Sequence, residues 1–499
     1  MSATVETMRA YRFCLDPSDR QRQVLARYAG AARWAFNARL AVLVDGHRRY
    51  LQEVAYATYT DDVDEAGARA LVKARGGVAT MSLASQSREL TTMIADHRSR
   101  AAADPDTEGA WLHTINRHAI VAGMRNADRA WSNWQSSHRG ERGGARMGYP
   151  RFKKKGRARD SFALFHDVKR PGIRLATYRR LRLPGIGEIR LHDSGKRLGR
   201  AIARGEAIVQ SVTVSRSGHR WYASVLVKQQ QEQRGPSRRQ RAAGTVGVDL
   251  GVKATAALST GELVPNPRVK ASVAARIAKT NRTLARAQKG SNRRRRLVAR
   301  LGRLHHLEAL ERARHTHALT KRLATGWADV AVEDLHVAGM VRSARGTVEA
   351  PGRNVRAKAG LSRGILDVEP GEIRRQLAYK TSWYGSRLHV VDRWAPTSKT
   401  CSACGWVKPK LSLSERTFHC GDCDLVLDRD VNAARNIAAL AAVPTEGGDA
   451  KARGGPAPEP PHGGEGAGSQ KREDHHGGHR SGAIPNPSEN PRVRGKPAA

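Results

Sequence analysis

Three carboxylates end apolar runs or open a helix-like segment. Asp249 closes Thr245-Val-Gly-Val-Asp, Glu333 closes Ala328-Asp-Val-Ala-Val-Glu, and Asp430 opens Asp430-Val-Asn-Ala-Ala-Arg-Asn-Ile. Acidic oxygens delivered by strand ends and a helix start suit hard divalent cations. A pair of such ions ~3.5–4 Å apart can activate a water and steady the leaving oxygen of a phosphodiester. Asp334 and Asp428 compete for the same roles, each lying within two residues of a favoured acid. Side chains alternate along a strand, so only one of Glu333 and Asp334 can face the metals.

Four cysteines precede the last acid. Cys401-x-x-Cys404 and Cys420-x-x-Cys423 are separated by fifteen residues. Each pair presents two thiolates from a tight turn, and two such knuckles complete a tetrahedral zinc site with Zn–S near ~2.3 Å. Four protein ligands close the site, so the zinc is expected to be structural, helping to fold a small ribbon with little core of its own. Gly405 and Gly421 fall where such turns favour glycine. The fifth cysteine, Cys14, reads as a small core residue.

The elements that must position these groups follow from periodicity. Residues 10–15 alternate weakly before Pro17 and suggest a first strand. Leu25, Tyr28, Ala32, Phe36, Leu40 and Leu43 recur at helical spacing, and that spacing continues to about Trp134 with a loop expected near residues 98–106. Residues 208–227 give the clearest hairpin, turning at Ser215-Arg-Ser-Gly-His. Residues 229–241 are polar and read as a linker. Strands at 246–258, 330–332 and 389–391 then alternate with helix over 271–323, the pattern of an α/β domain.

Lys and Arg number 88 against 46 Asp and Glu, a formal net charge of +42, which points to a polyanionic partner. Two cationic stretches are candidate phosphate contacts: Arg151, Lys153, Lys154 and Lys155 in a Gly- and Pro-broken strip, and Arg293, Arg294, Arg295 and Arg296 on a helix whose Leu297, Leu301 and Leu304 face the protein. Aromatic residues make up only 5%, so base stacking is not expected to be the main binding mode. No signal pattern opens the chain and no apolar stretch approaches the ~18 residues of a membrane helix, so no membrane partner and a cytoplasmic location are expected. The last 56 residues hold 12 glycines and 9 prolines and are expected to be disordered.

Taken together, Gly247-Val-Asp-Leu-Gly-Val, Val332-Glu-Asp-Leu, Thr397-Ser-Lys-Thr-Cys-Ser-Ala-Cys-Gly and Cys420-Gly-Asp-Cys followed by Asp428-Arg-Asp-Val-Asn-Ala-Ala-Arg-Asn-Ile resemble the TnpB family, the RNA-guided nucleases of bacterial insertion sequences and relatives of type V CRISPR effectors. Weaker matches are Gln376-Leu-Ala-Tyr-Lys, Gly148-Tyr-Pro-Arg-Phe-Lys, and Arg33 with Asn37, so the resemblance runs over about residues 8–440. It implies a multidomain α+β and α/β chain: a helical recognition module, a small β-barrel-like domain, and an RNase H-like RuvC domain with an inserted four-cysteine zinc ribbon. Residues 1–19 would supply the first strand of the β (wedge) domain, 20–135 the helical module, 136–228 the rest of the β domain, and 229–243 a linker. Residues 244–397 would form the RuvC domain, 398–426 the ribbon, 427–443 the last RuvC segment and 444–499 the disordered tail.

The resemblance further implies that Asp249, Glu333 and Asp430 are the RuvC acids, Asp430 being favoured over Asp428 because it directly precedes the Val-Asn-Ala-Ala segment. It implies a guide non-coding RNA, a double-stranded DNA target read next to a short adjacent motif, catalytic Mg²⁺, two ions by the chemistry above, and structural Zn²⁺. Alternatives are a type V CRISPR effector, a guided DNA-binding repressor, a DDE-type transposase, or a zinc-ribbon RNA-binding protein without catalysis. The acid order, with the ribbon between the last two, argues against the transposase. The last alternative leaves the three acids without a role.

Overall fold

In the computed structural model the described residues are 4–103, 111–143, 145–167, 171–232, 234–412 and 414–442. The Gly- and Pro-rich tail, with its expected disorder, lies outside them.

Strand β1 (Thr4–Asp16) leads into the long helix α1 (Asp19–Thr60), which starts at a capping box: Gln21 N donates to Ser18 Oγ, and Ser18 N to Gln21 Oε1. Helices α2 (Glu65–Ala74), α3 (Leu83–Ala103) and α4 (Arg117–His138) come next, with α4 packed along α1. The loop expected near residues 98–106 is helical as far as Ala103, because α3 carries its basic residues on an exposed surface and does not break.

Strands β2 (Ser161–Phe165), β3 (Arg174–Thr177), β4 (Arg180–Leu183) and β5 (Gly187–Leu191), the short helix α5 (Lys196–Ala203), and the hairpin β6 (Ala207–Ser217) and β7 (Arg220–Glu232) complete the first half. With β1 they form a seven-stranded sheet ordered β2-β6-β7-β1-β5-β4-β3. All of its pairings are antiparallel, and β1 lies along β7 from Thr4↔Glu232 to Leu15↔Trp221. Alternate residues Val212, Val214, Ala223, Val225 and Val227 turn into a core that also holds Leu25, Tyr28 and Ile120 of the helices. Tyr28 and Phe162 rings lie 5.1 Å apart. Helices and sheet therefore share one core.

The expected linker is largely ordered. Strand β7 pairs as far as Glu232, and helix α6 (Arg238–Ala243) opens on a second capping box, Ser237 with Gln240. Gln240 is buried and donates to Ala324 O at 3.0 Å and Tyr384 O at 3.2 Å, which fastens the segment to the second half of the chain. Ser237 and Gln240 serve the cap, while most of the other polar residues of the segment are exposed.

Strands β8 (Thr245–Asp249), β9 (Ala254–Leu258), β10 (Leu263–Pro265), β11 (Asp329–Glu333) and β12 (Arg387–Val391) form a second sheet ordered β10-β9-β8-β11-β12. Strands β8, β11 and β12 are parallel, whereas β9 and β10 return antiparallel. Helices α7 (Val269–Ala285) and α8 (Asn292–Gly326) make a long hairpin before β11; α9 (Val337–Met340), α10 (Val355–Val368) and α11 (Pro370–Tyr384) lie between β11 and β12. Val246, Val248, Val330 and Val332 face Leu319, Leu323, Ile373 and Leu377 on one side of the sheet. On the other side lies the last helix, α12 (Arg429–Ala442), directly over β8. It comes after a small unit in which β13 (Thr417–His419) pairs with β14 (Val426–Asp428) around Phe418, Cys401 and Cys420. Among the described residues no helix is long and apolar enough to cross a membrane.

Candidate active site

Parallel strands end on the same edge, and that edge carries the acids. Asp249 is the last residue of β8 and Glu333 the last of β11, while α12 brings Asp430 in its first turn. The three sit close enough to govern one another. The Asp249 carboxyl is pushed up to about 7, first by burial, then by the negative charges of Glu333 and Asp430, against which Arg429 acts weakly. Burial and the two neighbouring carboxylates each disfavour its ionised form. Asp249, Glu333 and Asp430 are each half-buried at this edge.

Two of the acids are held by a neighbour. Thr397 Oγ1 donates to Glu333 Oε1 at 2.6 Å. Arg429 Nε lies 3.2 Å from Asp430 Oδ1 and its other arm donates to Glu415 O at 3.1 Å, so the guanidinium spans from the acid to the cysteine unit. The competing carboxylates are occupied otherwise. Asp428 Oδ1 accepts from Asp430 N at 2.9 Å and Val431 N at 3.2 Å, capping α12. Asp334 is gripped between Arg374 and Arg393, and these cations hold its carboxyl below the usual range.

The cysteines converge as well. The Sγ atoms of Cys401, Cys404, Cys420 and Cys423 all lie within 4.8 Å of one another, with Cys401 to Cys423 at 3.6 Å and Cys404 to Cys420 at 3.5 Å. A tetrahedron with Zn–S of ~2.3 Å has edges of ~3.8 Å, so the set fits a zinc ion with little adjustment. Ala403 N and Asp422 N point at Cys401 and Cys420 sulfurs, both at 3.4 Å, an arrangement that favours thiolates. Gly405 sits at φ +81°, where a side chain would strain the turn. Gly421 serves differently: a Cβ there would stand 3.1 Å from the Trp406 ring.

Two asparagines tie this unit to the acids. Asn432, fully buried, accepts from Ser402 N at 2.9 Å and donates to Thr400 O at 2.7 Å. One turn on, Asn436 Nδ2 lies 2.7 Å from both Thr397 O and Thr400 O. Sequence reasoning placed these residues in a motif without giving them a task. Their i, i+4 spacing beside Asp430 was the available signal.

The cationic candidates divide. Arg151, Lys154, Lys155, Arg293, Arg295 and Arg296 are exposed. Lys153 instead lays its ammonium 3.8 Å from the Phe36 ring centre, its backbone clasped by Asn37 at 2.8 and 3.0 Å, and burial lowers its pKa. Arg294 caps α7 through Leu284 O at 2.8 Å. Both are half-buried and carry these intramolecular contacts.

Three family models match: OrfB of IS605, described as "probable transposase", over residues 224–344; a Cas12f1-like TNB domain over 371–437; and an OrfB-associated helix-turn-helix domain over 7–49, which here folds as β1 and the first part of α1. Over 438 residues the chain is 35% identical to a Mycobacterium tuberculosis protein named "Putative RNA-guided DNA endonuclease Rv2885c", covering 86% of each chain. The chain belongs to the TnpB family of IS605 elements. A second TnpB-family relative, named "Putative RNA-guided DNA endonuclease InsQ", from Escherichia coli, is 30% identical over 435 residues, covering 87% of this chain and 92% of that one. A solved complex of Cas12f1 with single-guide RNA and target DNA aligns with 87% of this TnpB-family chain and 99% of its own, at 13% identity and TM-score 0.40, too distant to bear on the site.

Proposed function

We propose that this chain is an RNA-guided DNA endonuclease that cuts its target at a single RuvC-type site formed by Asp249, Glu333 and Asp430. The observation that carries this reading is the crowding of the three acids at the sheet edge, with Asp249 pushed up to about 7 by its neighbours and by burial. Its relatives are named for the same activity. Mg²⁺ is the proposed metal, as a pair of ions held by those acids. When bound, such ions supply an activated water and offset charge on the leaving oxygen.

The rest of the task falls to this chain's residues. Thr397 fixes the rotamer of Glu333, Arg429 steadies Asp430, and Asp428 seats the helix that carries it. The four cysteines hold a structural Zn²⁺. The exposed basic residues grip nucleic-acid backbone, while pairing with a guide RNA supplies sequence and the first-half sheet and helices read a short adjacent motif on the DNA. In domain terms, residues 244–397 and 427–443 form the nuclease domain, 398–426 its ribbon, and the first half the recognition part.

The test is to purify the chain with the RNA that travels with it and supply Mg²⁺ and a plasmid library bearing the complementary sequence beside a randomised flank. One dominant non-coding RNA and cleavage abolished by Asp249→Ala are expected. Cleavage that survives Asp249→Ala, or a heterogeneous RNA population, overturns the reading.

A further inference from the structure

Trp394 is 84% exposed, an unusual state for an indole, at the tip of the loop after β12. Both ends of that loop are tied to the same acid. Val391, the last residue of β12, pairs in register with Glu333, and six residues on, Thr397 donates to the Glu333 carboxylate at 2.6 Å. Trp394 stands midway, three residues from each tie, so its backbone can lie no farther than ~11 Å from either.

The loop is braced from within. Asp392 Oδ1 accepts from Trp394 N at 2.8 Å, Ala395 N donates to Asp392 O at 3.2 Å, and Arg393 is paired with Asp334. The indole thus projects from a hydrogen-bonded turn. It borders an open groove of about 500 Å³ lined by Asp334, Val390, Val391, Asp392, Arg393 and Trp394. Its lining is mixed and more polar than apolar: beside the indole and the two valines stand Arg393 and two acids, Asp334 paired with Arg374 and Arg393, and Asp392 with the loop backbone.

We propose that Trp394 is a positioning residue that stacks on one unpaired base of the DNA strand entering the acid site, fixing which phosphodiester reaches Asp249, Glu333 and Asp430. An indole face accepts any base, so the contact sets register without reading sequence. This inference rests on the nuclease reading of the acid site.

The experiment uses the full chain with its co-purifying RNA and a matching synthetic duplex. Trp394→Ala is expected to slow cutting roughly tenfold or more, the loss of one base–aromatic stack, and Trp394→Phe to stay within a few-fold of the unaltered protein. Single abasic sites stepped along the cut strand should slow the unaltered protein at one position beside the scissile bond and add nothing further to Trp394→Ala there. Duplex capture by the Asp249→Ala protein should not change when Trp394→Ala is added. Unchanged cutting by Trp394→Ala, a Phe variant as slow as Ala, or an abasic profile without a preferred position overturns the proposal. If Asp249→Ala still cuts, the nuclease site itself is misassigned. If Asp249→Ala is dead and Trp394→Ala is not, only the stacking inference fails.

Discussion

Gly247 lies so close beneath Ala434 that no side chain fits between them: a Cβ on Gly247 would stand 1.9 Å from the Ala434 carbonyl oxygen and 2.6 Å from Ala438 N. Both obstacles are backbone, so they yield only if α12 moves. The glycine two residues before Asp249 is what lets the helix bearing Asp430 lie on the strand bearing Asp249.

Gly247→Ala should therefore lift α12 and part the acids. Overpacking of this kind costs about 1–3 kcal/mol, occasionally more. The expected outcome is a lower urea midpoint with cleavage lost and zinc content kept. A variant that cuts normally would show that α12 does not need this contact.

Thr397→Val removes the hydroxyl that holds Glu333 at nearly constant shape. A hydrogen bond to a charged group contributes about 1.5–3 kcal/mol to stability, so the melting temperature should fall, and with Glu333 no longer held cleavage should drop roughly tenfold or more. Thr397→Ser restores the donor and should recover most of the rate. Equal rates for Val and Ser would remove Thr397 from the site.

Removing zinc should act on the acids at a distance. Asn432 and Asn436 fasten α12 to residues 397–402, the backbone leading into the first knuckle. Cys420→Ser, or chelation, is expected to abolish stoichiometric zinc and cleavage together and to expose residues 398–426 to protease. Asn432→Leu, which strands buried partners at about 1–3 kcal/mol apiece, should weaken cleavage with zinc retained. Full activity in the zinc-free protein would break the link between ribbon and site.

What the sequence made legible was whatever local pattern encodes. An apolar run stopped by an acid marks β8 and β11, and CxxC spacing marks the knuckles. What it hid depends on contacts across long separations. Asp428 and Asp430 look alike until one is seen capping a helix, and nothing in the basic strip shows that Lys153 packs on Phe36. The pairing of β1 with β7 joins residues more than 200 positions apart, so nothing in either segment announces a shared core of helices and sheet. Gln240 sat in a stretch read as linker because its buried acceptors, Ala324 O and Tyr384 O, lie 84 and 144 positions away, although Ser237-x-x-Gln240 has the capping-box spacing.

Lys380 gives a pH test away from the acids. Its ammonium is enclosed between α8 and α11, donating to His317 O at 2.9 Å, Thr320 Oγ1 at 2.6 Å and Gln376 Oε1 at 3.0 Å, and the residue is almost fully buried. Burial lowers its pKa to about 8; Glu372 opposes the shift, and Lys321 and Arg375 assist it. The folded protein thus releases this proton near pH 8, whereas the unfolded chain keeps it to about 10.5. Between those values the unfolded state binds more protons, so this group's contribution to stability rises with pH, and below pH 8 the full cost of the buried charge is present. In Lys380→Met the titration is gone. The stability of the unaltered protein relative to Lys380→Met should therefore climb from about pH 7.5 to 10, by no more than a one-proton slope, as read from paired urea midpoints. A flat difference across that range would mean that the three acceptors stabilise the ammonium enough to cancel its burial.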